Sequence, residues 1–173
     1  VSTKILGNLL DKVLMHNLNL VDKIVVVSQF WKEYFESRGY DPVEIIYNPF
    51  DFKEFTFSDD DTDRFKIKYQ LSGKPIIYLG NCQKAKGVVE AYEALKGLDA
   101  HLVTSGTRDV NLPAVHLNVD YKEYLTLLQA SSVTVTMSKF NEGWCRTAHE
   151  AMLCKTPVVG SGMGGMEELL EGG

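Results

Sequence analysis

The sequence predicts an α/β fold: a doubly wound, Rossmann-like parallel sheet, preceded by a βαβ unit from a second domain. From residue 75 onward, short apolar runs alternate with amphipathic segments, as strands alternate with crossover helices. The apolar runs are short and continuous, which indicates a sheet covered on both faces. A strand–helix–strand pattern before residue 50 predicts a separate pair of parallel strands.

The first predicted element is a helix, because apolar residues recur at helical spacing over Lys4–Asn17. We expect one buried face rather than a membrane-surface helix, since its polar face is not rich in Lys or Arg. The next unit consists of a strand at Lys23–Val27, a helix at Phe30–Arg38 and a strand at Val43–Tyr47. Ser28 is the expected cap of that helix, which ends at Gly39.

An acidic run, Ser58–Asp63, is the clearest boundary in the chain and predicts a solvated loop within a linker. It contains Asp-x-Asp, a pattern that can hold a divalent cation. The linker is the favoured interpretation, because no strong apolar strand precedes these aspartates.

From Pro75 the alternation of strands and helices is regular. The predicted strands are Ile76–Leu79, His101–Thr104, Val115–Leu117, Val133–Met137 and Pro157–Val159, and the predicted helices are Gly87–Lys96, Lys122–Ala130, Arg146–Cys154 and Met166–Leu170. A ligand of such a sheet lies beyond the carboxyl ends of its strands. The loops after Leu79, Met137 and Val159 emerge at that edge, so we expect them to form one site.

The segment Ser138–Glu150, which reads SKFNEGWCRTAHE, carries the most chemistry. It places Glu142, followed by Gly143, on the loop after a buried strand, and Glu150 about one turn into the next helix. Free N–H groups at a helix N-terminus suit a phosphate, and a carboxylate beside them can accept hydrogen bonds from sugar hydroxyls. The combination predicts a pocket for a phosphorylated sugar, most simply a nucleotide-sugar.

Three side chains in this segment have competing interpretations. Arg146 lies in the first helical turn, where a cation opposes the helix dipole, so we expect an anionic partner: Glu142 or a ligand phosphate. Trp144 either forms an aromatic wall of the pocket or packs in the core. His149 is more consistent with a packed or surface residue than with a base.

Two glycine-rich loops complete the predicted edge. In Gly80–Gly87, Gly80 permits a tight turn, and Lys86 either neutralises a phosphate or is a solvated surface lysine. Gly160–Gly165 satisfies Gly-x-Gly-x-x-Gly, a dinucleotide-binding pattern, but the chain ends before an acidic ribose ligand. We therefore favour a loop against a phosphate or sugar over NAD binding, with a flexible turn as the remaining alternative.

The length of 173 residues fits one domain plus part of another, and a net charge of −5 argues against general nucleic-acid binding. No apolar run has the length needed to span a bilayer, and the start lacks a signal-peptide pattern. The three cysteines have no metal-ligand spacing and are expected to be reduced thiols in a cytoplasmic protein. The missing initiator Met and the final turn, Glu171–Gly173, predict a piece of a larger enzyme.

Six motifs, in order along the chain, resemble those of the family 4 retaining glycosyltransferases of the GT-B fold. They are Asp22–Ser28 (Asp-x-Ile-x-x-x-Ser), Asn48–Asp51 (Asn-x-x-Asp), Gly80–Gly87 (Gly-Arg-x-x-x-x-Lys-Gly), Glu142 with Glu150 (Glu-x7-Glu), Pro157–Val159 (Pro-Val-Val) and Gly164–Glu168 (Gly-Gly-x-x-Glu). Each motif is weak by itself, but together they cover nearly the whole chain.

The resemblance implies that residues 1–51 end an acceptor-side N-terminal domain, 52–72 form a linker and 73–173 form most of a nucleotide-sugar donor-binding domain. It implies that Glu142 is catalytic and holds the donor sugar, that Glu150 holds the ribose hydroxyls and that Lys86 contacts the diphosphate. The remaining donor-binding positions are Gly80, Asn81, Gly143, Trp144, Cys145, Arg146, Gly164 and Gly165.

Two departures from the family pattern fall in this site. Asn81 stands where the family has a phosphate-binding arginine, and Gly143-Trp144-Cys145 replaces Gly-Phe-Gly. Losing the arginine removes a bidentate phosphate contact. Either Lys84 or Arg146 compensates, or the donor affinity is reduced or the donor differs.

The implied activity is transfer of a sugar from a nucleotide diphosphate-sugar to an acceptor hydroxyl, with no metal and no cofactor. The implied partners are the donor, an acceptor saccharide or lipid-linked saccharide, and the missing N-terminal domain. The expected location is the cytoplasm, with peripheral association at the inner face of the membrane as an option. We expect the isolated chain to bind donor weakly without turnover. The alternatives are a GT-B-fold nucleotide-sugar epimerase or phosphorylase, and a non-catalytic sugar-nucleotide-binding or scaffold domain.

Overall fold

The computed structural model describes residues 3–18 and 20–171, and the chain divides into two compact units, Val1–Asn48 and Pro49–Gly173. The first unit consists of α1 (Thr3–Leu18), β1 (Ile24–Val26), α2 (Gln29–Glu36) and β2 (Val43–Ile45). The two strands pair in parallel, which confirms the predicted βαβ unit. The predicted final turn at Gly172 and Gly173 lies outside the described residues.

The burial predicted for the first helix is wrong where it can be checked. Helix α1 forms, but Leu10, Val13 and Leu14 of its apolar stripe are each more than half exposed. The side chains of Ile5, Leu6 and Leu9 lie outside the described part of the chain. The helical period was therefore a sound guide to conformation but not to packing.

The capping prediction for α2 is correct in position and wrong in mechanism. Ser28 is the N-cap residue, and its backbone carbonyl accepts from the Lys32 N–H at 3.2 Å. Its buried hydroxyl, however, has no hydrogen-bond partner among the described residues. The helix therefore starts as predicted without a side-chain cap.

The second unit contains a five-stranded, fully parallel sheet, which confirms the predicted fold class. Its elements are a 3-10 helix (Phe52–Phe55), α3 (Asp59–Lys68), β3 (Ile76–Asn81), a 3-10 helix (Lys84–Lys86), α4 (Val88–Leu95), β4 (His101–Ser105), β5 (Val115–Leu117), α5 (Tyr121–Ala130), β6 (Val133–Thr136), α6 (Arg146–Leu153), β7 (Val158–Gly160) and α7 (Gly165–Leu170).

The order of the strands in the sheet indicates where a ligand site is expected. The sheet runs β5-β4-β3-β6-β7, so the chain proceeds outward from β3 to β5 and then returns to the other side of β3. The order therefore reverses between β3 and β6. In open α/β sheets, ligands bind beyond the carboxyl ends of the strands at this reversal. The loops after β3 and β6, which carry Lys86 and Glu142, flank that point.

The core occupies both faces of the sheet, as the continuous apolar strands predicted. Ile76 and Tyr78 of β3 pack in a buried cluster that includes residues of α3 and α5. Ile77 and Leu79 point to the opposite face and pack with Val88 of α4. Because each face buries its own apolar layer, the strand ends at the edge are held rigidly.

The acidic stretch predicted as a loop is the start of helix α3. Ser58 and Asp61 form a capping box, in which the Ser58 hydroxyl accepts from the Asp61 N–H while the Asp61 carboxylate accepts from the Ser58 N–H. Aspartates in the first turn also suit the helix dipole. Phe65, further along the same helix, is buried in the core of the second unit. The stretch therefore begins a helix of that unit and is not a loop.

Gly87 joins the loop after β3 to the loop after β6. It has φ +71°, and a Cβ built on it would lie 1.9 Å from the carbonyl oxygen of Met137. Beside it, the Lys139 N–H donates to the Ala85 carbonyl at 2.9 Å. Only glycine permits this backbone-to-backbone approach, which fixes the position of Lys86.

We expect Gly87→Ala to lower the free energy of unfolding by about 2–5 kcal/mol, from a left-handed backbone penalty plus overpacking. Gly73→Ala is the control, because Gly73 has φ +85° but nothing within 4 Å of a built Cβ. It should cost only the backbone part, about 1–2 kcal/mol. Chemical unfolding measures both variants, and equal losses would contradict the close approach.

Candidate functional site

Two buried carboxylates define the candidate site. Glu142 is 7% exposed and Glu150 is 5% exposed, although ionisable side chains are seldom buried without partners. Glu142 lies on the loop after β6 and Glu150 lies in α6, as the sequence predicted. Each has a cationic partner and a hydroxyl donor, so the two carboxylates are held in similar ways.

Glu142 is fixed by its side chain and by its backbone. Its Oε1 is 2.6 Å from Lys86 Nζ and also accepts a hydrogen bond from the Ser138 hydroxyl. Its backbone N–H donates to the Met163 carbonyl at 3.2 Å, and its carbonyl accepts from the Gly165 N–H at 2.9 Å. Contacts from the loops after β3, β6 and β7 therefore meet at this one residue.

Gly164 permits that backbone pairing. It forms an isolated parallel bridge with Glu142 and has φ +69°. A Cβ at Gly164 would lie 2.5 Å from the Glu142 carbonyl oxygen. The predicted glycine-rich loop after β7 is thus packed against the Glu142 loop, which argues against the flexible-turn interpretation.

Glu150 is held by residues of α5 and α6. The Tyr124 hydroxyl donates to its Oε2 at 2.8 Å, and a terminal nitrogen of Arg146 lies 3.2 Å from its Oε1. Burial raises the pKa of Glu150 above its ordinary value, while hydrogen bonds from Tyr124 and the charge of Arg146 act in the opposite direction. Burial also raises the pKa of Tyr124, so its hydroxyl stays a donor at neutral pH.

A cleft of about 460 Å³ opens beside Glu150 at the carboxyl ends of the strands. The residues that give it polar character include Asn81, Asp120, Tyr121, Tyr124, Arg146 and Glu150. A cavity of only about 20 Å³ lies next to it and is lined by Gly80, Lys86, Glu142 and Cys145. Asn81 and Thr147 line both spaces, so the cleft and the small cavity adjoin, while the predicted residues Gly143, Trp144, Gly164 and Gly165 line neither.

Helix α6 starts between these two spaces, at a strained residue. Cys145 is its N-cap, with φ +49° and ψ +70°, a left-handed conformation that β-carbon-bearing residues rarely adopt. The thiol is buried, and burial raises its pKa, so it is a packed thiol at neutral pH. The sequence resemblance places glycine at this position, and the backbone conformation gives the physical reason.

Trp144 packs inward rather than forming an open aromatic wall. It is 9% exposed, and its indole N–H donates to Nδ1 of His149 at 2.8 Å. The His149 ring lies 4.4 Å from the Phe50 ring, measured between centroids. Burial lowers the pKa of His149, so the imidazole is neutral at pH 7 and accepts this bond. The core interpretation of Trp144 is therefore favoured by its burial.

Sequence reasoning missed several partners in this region. Tyr124 and Tyr121 lie on α5, and Ser138 follows β6, yet none of the three was singled out. A local signal existed only for Ser138, which lies four residues before Glu142. Gly106, after β4, was also missed: a Cβ there would lie 2.8 Å from Oδ1 of Asn81.

Among residues 3–18 and 20–171, no group of three or more His, Cys, Asp or Glu side chains is arranged to hold a metal ion. Within the same part of the chain, no helix is both long enough and apolar enough to cross a bilayer.

A family model described as "Glycosyl transferases group 1" matches residues 59–173. Similar solved structures include HepE of Anabaena in complex with UDP-glucose, with a TM-score of 0.77 and 19% identity over 90% of this chain and 51% of that one. Sucrose-phosphate synthase of Thermosynechococcus elongatus has a TM-score of 0.75 and 21% identity, over 91% of this chain and 45% of that one. A glycosyltransferase of Rickettsia africae has a TM-score of 0.69 and 21% identity, over 86% of this chain and 46% of that one.

Identities this low show a shared fold alone. This chain spans about half the length of those solved proteins. A search of the curated proteins finds no match.

The strain at Cys145 predicts an unusual order of stability. Cys145→Ala and Cys145→Gly both lose the buried thiol, but only the glycine variant relieves the left-handed backbone. We expect Cys145→Gly to be more stable than Cys145→Ala by about 1–2 kcal/mol in chemical unfolding. At an ordinary helical position Ala is the more stable of the two, and that order here would refute the strain.

Proposed function

The chain belongs to the group 1 glycosyl transferases, and we propose that it is the donor-binding part of a retaining, metal-independent family 4 enzyme. That enzyme would transfer a hexose from a nucleotide diphosphate-sugar to an acceptor hydroxyl. The observation that carries the proposal is the pair of buried carboxylates, each joined to a cation, on either side of the start of α6. The carboxylates can accept hydrogen bonds from the hydroxyls of such a donor, and the cations and the helix N-terminus can bind its phosphates.

Each part of the donor has a matching group in this proposal. Glu150 accepts hydrogen bonds from the ribose hydroxyls in the 460 Å³ cleft. The diphosphate is bound by backbone N–H groups at the start of α6 and in the preceding segment, Gly143–Cys145. Glu142 accepts hydrogen bonds from the donor sugar, and the contact with Lys86 at 2.6 Å holds its carboxylate in place.

The proposed chemistry depends on stabilising the departing nucleoside diphosphate. Negative charge accumulates on the β-phosphate as the glycosidic bond breaks, and fixed cations and backbone dipoles stabilise it without reorganising. Lys86 and the N-terminus of α6 supply these groups in the proposal. A divalent cation would then be unnecessary.

The likeness to HepE, whose structure holds UDP-glucose, supports a nucleotide-sugar as the donor class. We propose an acceptor saccharide or lipid-linked saccharide, bound by a further domain of which residues 1–51 form the end. The cytoplasm, with peripheral contact at the inner face of the membrane, is the proposed location, and no cofactor is required.

A second candidate is a non-catalytic sugar-nucleotide-binding or scaffold domain. Asn81 favours it, because a neutral amide at the end of β3 removes a phosphate contact that the family pattern contains. The two candidates share donor binding and differ in turnover.

Donor binding is tested by thermal-shift or calorimetric titration of the chain with UDP, GDP and ADP and their sugar conjugates. We expect one nucleotide to stabilise the chain without divalent metal, because a ligand of the native state must raise its stability. Glu150→Ala should weaken that binding by about tenfold or more, since the ribose hydroxyls lose their acceptor. Binding should also weaken as pH falls through the raised pKa of Glu150, because the protonated carboxyl loses acceptor strength.

Glu93→Ala is the matched control, since Glu93 is an exposed carboxylate of α4 paired with Lys96. It should bind nucleotide as the parent chain does. A response to no nucleotide would contradict donor binding, and a response that requires metal would contradict the metal-independent site.

We expect the chain by itself to catalyse neither transfer to saccharide acceptors nor hydrolysis of the donor. The reason is that the resemblance assigns the groups that bind the acceptor to the acceptor-side domain, of which residues 1–51 would be only the end. Release of nucleoside diphosphate, followed by a coupled assay, measures this directly. Turnover that disappears in Glu142→Gln would overturn the expectation and rule out the scaffold candidate.

A further inference from the structure

We propose that Arg146 binds the diphosphate of the nucleotide and supplies the positive charge that Asn81 does not. The inference rests on the proposed function and names the residue that recognises one part of the ligand. Arg146 is the first residue of α6 and lines the 460 Å³ cleft together with Asn81 and Glu150.

The charges of the cleft point to this residue. Every residue that lines the cleft lies in the described part of the chain, and among them Arg146 is the one cation. Asp120 and Glu150 contribute carboxylates, and Asn81 is neutral. Without Arg146 the charged side chains that line the cleft would all be carboxylates, so this guanidinium is the side chain of the cleft that attracts a diphosphate.

The Arg146 guanidinium is held beside the cleft by Glu150 and still has N–H donors that can bind a ligand. One terminal nitrogen lies 3.2 Å from Glu150 Oε1, and Cζ lies 5.5 Å from the centroid of the Phe50 ring. The side chain is nevertheless 60% exposed. A guanidinium has five N–H donors in a planar fork, so the contact with Glu150 leaves donors for phosphate oxygens.

The place of Arg146 on its helix supports the same ligand. A cation at the first position of a helix is disfavoured by the positive end of the dipole. A bound anion reverses this effect, because the guanidinium and the free N–H groups of α6 then attract the same charge. The Arg146–Glu150 pair partly offsets the cost in the free protein.

The other cations near these strand ends are less suited to the role. Lys86 is held by Glu142 at 2.6 Å and lines the 20 Å³ cavity rather than the cleft. Lys84 is exposed and lines neither space. Lys84 is therefore the competing residue that the experiment has to exclude.

The test is a calorimetric titration of the 173-residue chain with UDP, UMP and uridine, with the matching guanine and adenine series in parallel. In Arg146→Gln we expect the affinity for the nucleoside diphosphate to fall by about tenfold or more, since a charge-assisted contact is lost. Affinity for the nucleoside should fall several-fold less than affinity for the diphosphate, because Glu150 loses its contact with Arg146 but keeps the hydrogen bond from Tyr124. Arg146→Lys keeps the charge without the fork and should give an intermediate loss. The parent's diphosphate affinity should also fall with added NaCl more steeply than that of Arg146→Gln.

Arg64→Gln is the control, because Arg64 is an exposed arginine paired with Asp61 on α3, away from the cleft. Unfolding of each variant without ligand checks that the fold is intact. Unchanged diphosphate affinity in Arg146→Gln, or a loss found in Lys84→Gln instead, overturns the inference while leaving the proposed function standing. A parent chain that binds none of these compounds overturns both.

Discussion

The backbone pairing between Glu142 and Gly164 is the contact on which the site depends. It is possible because Gly164 has no side chain and adopts φ +69°. The pairing ties the loop after β7 to the loop after β6, and the Lys86 ion pair ties the loop after β3 to the same residue. Three loops are thus fixed relative to one another, which is the rigidity that a small, charged ligand site requires.

The two carboxylates are also the main electrostatic cost of the fold. Removing a carboxylate from water is unfavourable, and the attraction of one cation seldom offsets the whole desolvation free energy. Glu142 and Glu150 each add a hydroxyl donor, from Ser138 and Tyr124, which reduces the cost without removing it. Glu150 lines the open cleft, and a buried carboxylate at such a cleft is typical of a functional site rather than of a structural ion pair.

Asn81 and Cys145, which both depart from the pattern of the family that the sequence resembles, line the same small cavity. Asn81 closes the end of β3, Cys145 takes a left-handed conformation at the start of α6, and Arg146 follows it. The backbone at Cys145 has a left-handed conformation that suits glycine, so α6 begins at a locally strained residue. The positive charge of the cleft therefore comes from the helix instead of from the strand.

The sequence by itself determined the five strands of the main sheet, the βαβ unit and the edge where the loops converge. These follow from hydrophobic period and turn chemistry, which are local. It also contains the capping box of α3, since Ser58 and Asp61 start a helix where the acidic run predicts a loop. Only the tertiary structure decided which partners the carboxylates take: Lys86 is 56 residues from Glu142, and Tyr124 is 26 residues from Glu150. Such pairings, and the burial of Trp144, depend on strand order, because order decides which loops and helices become neighbours.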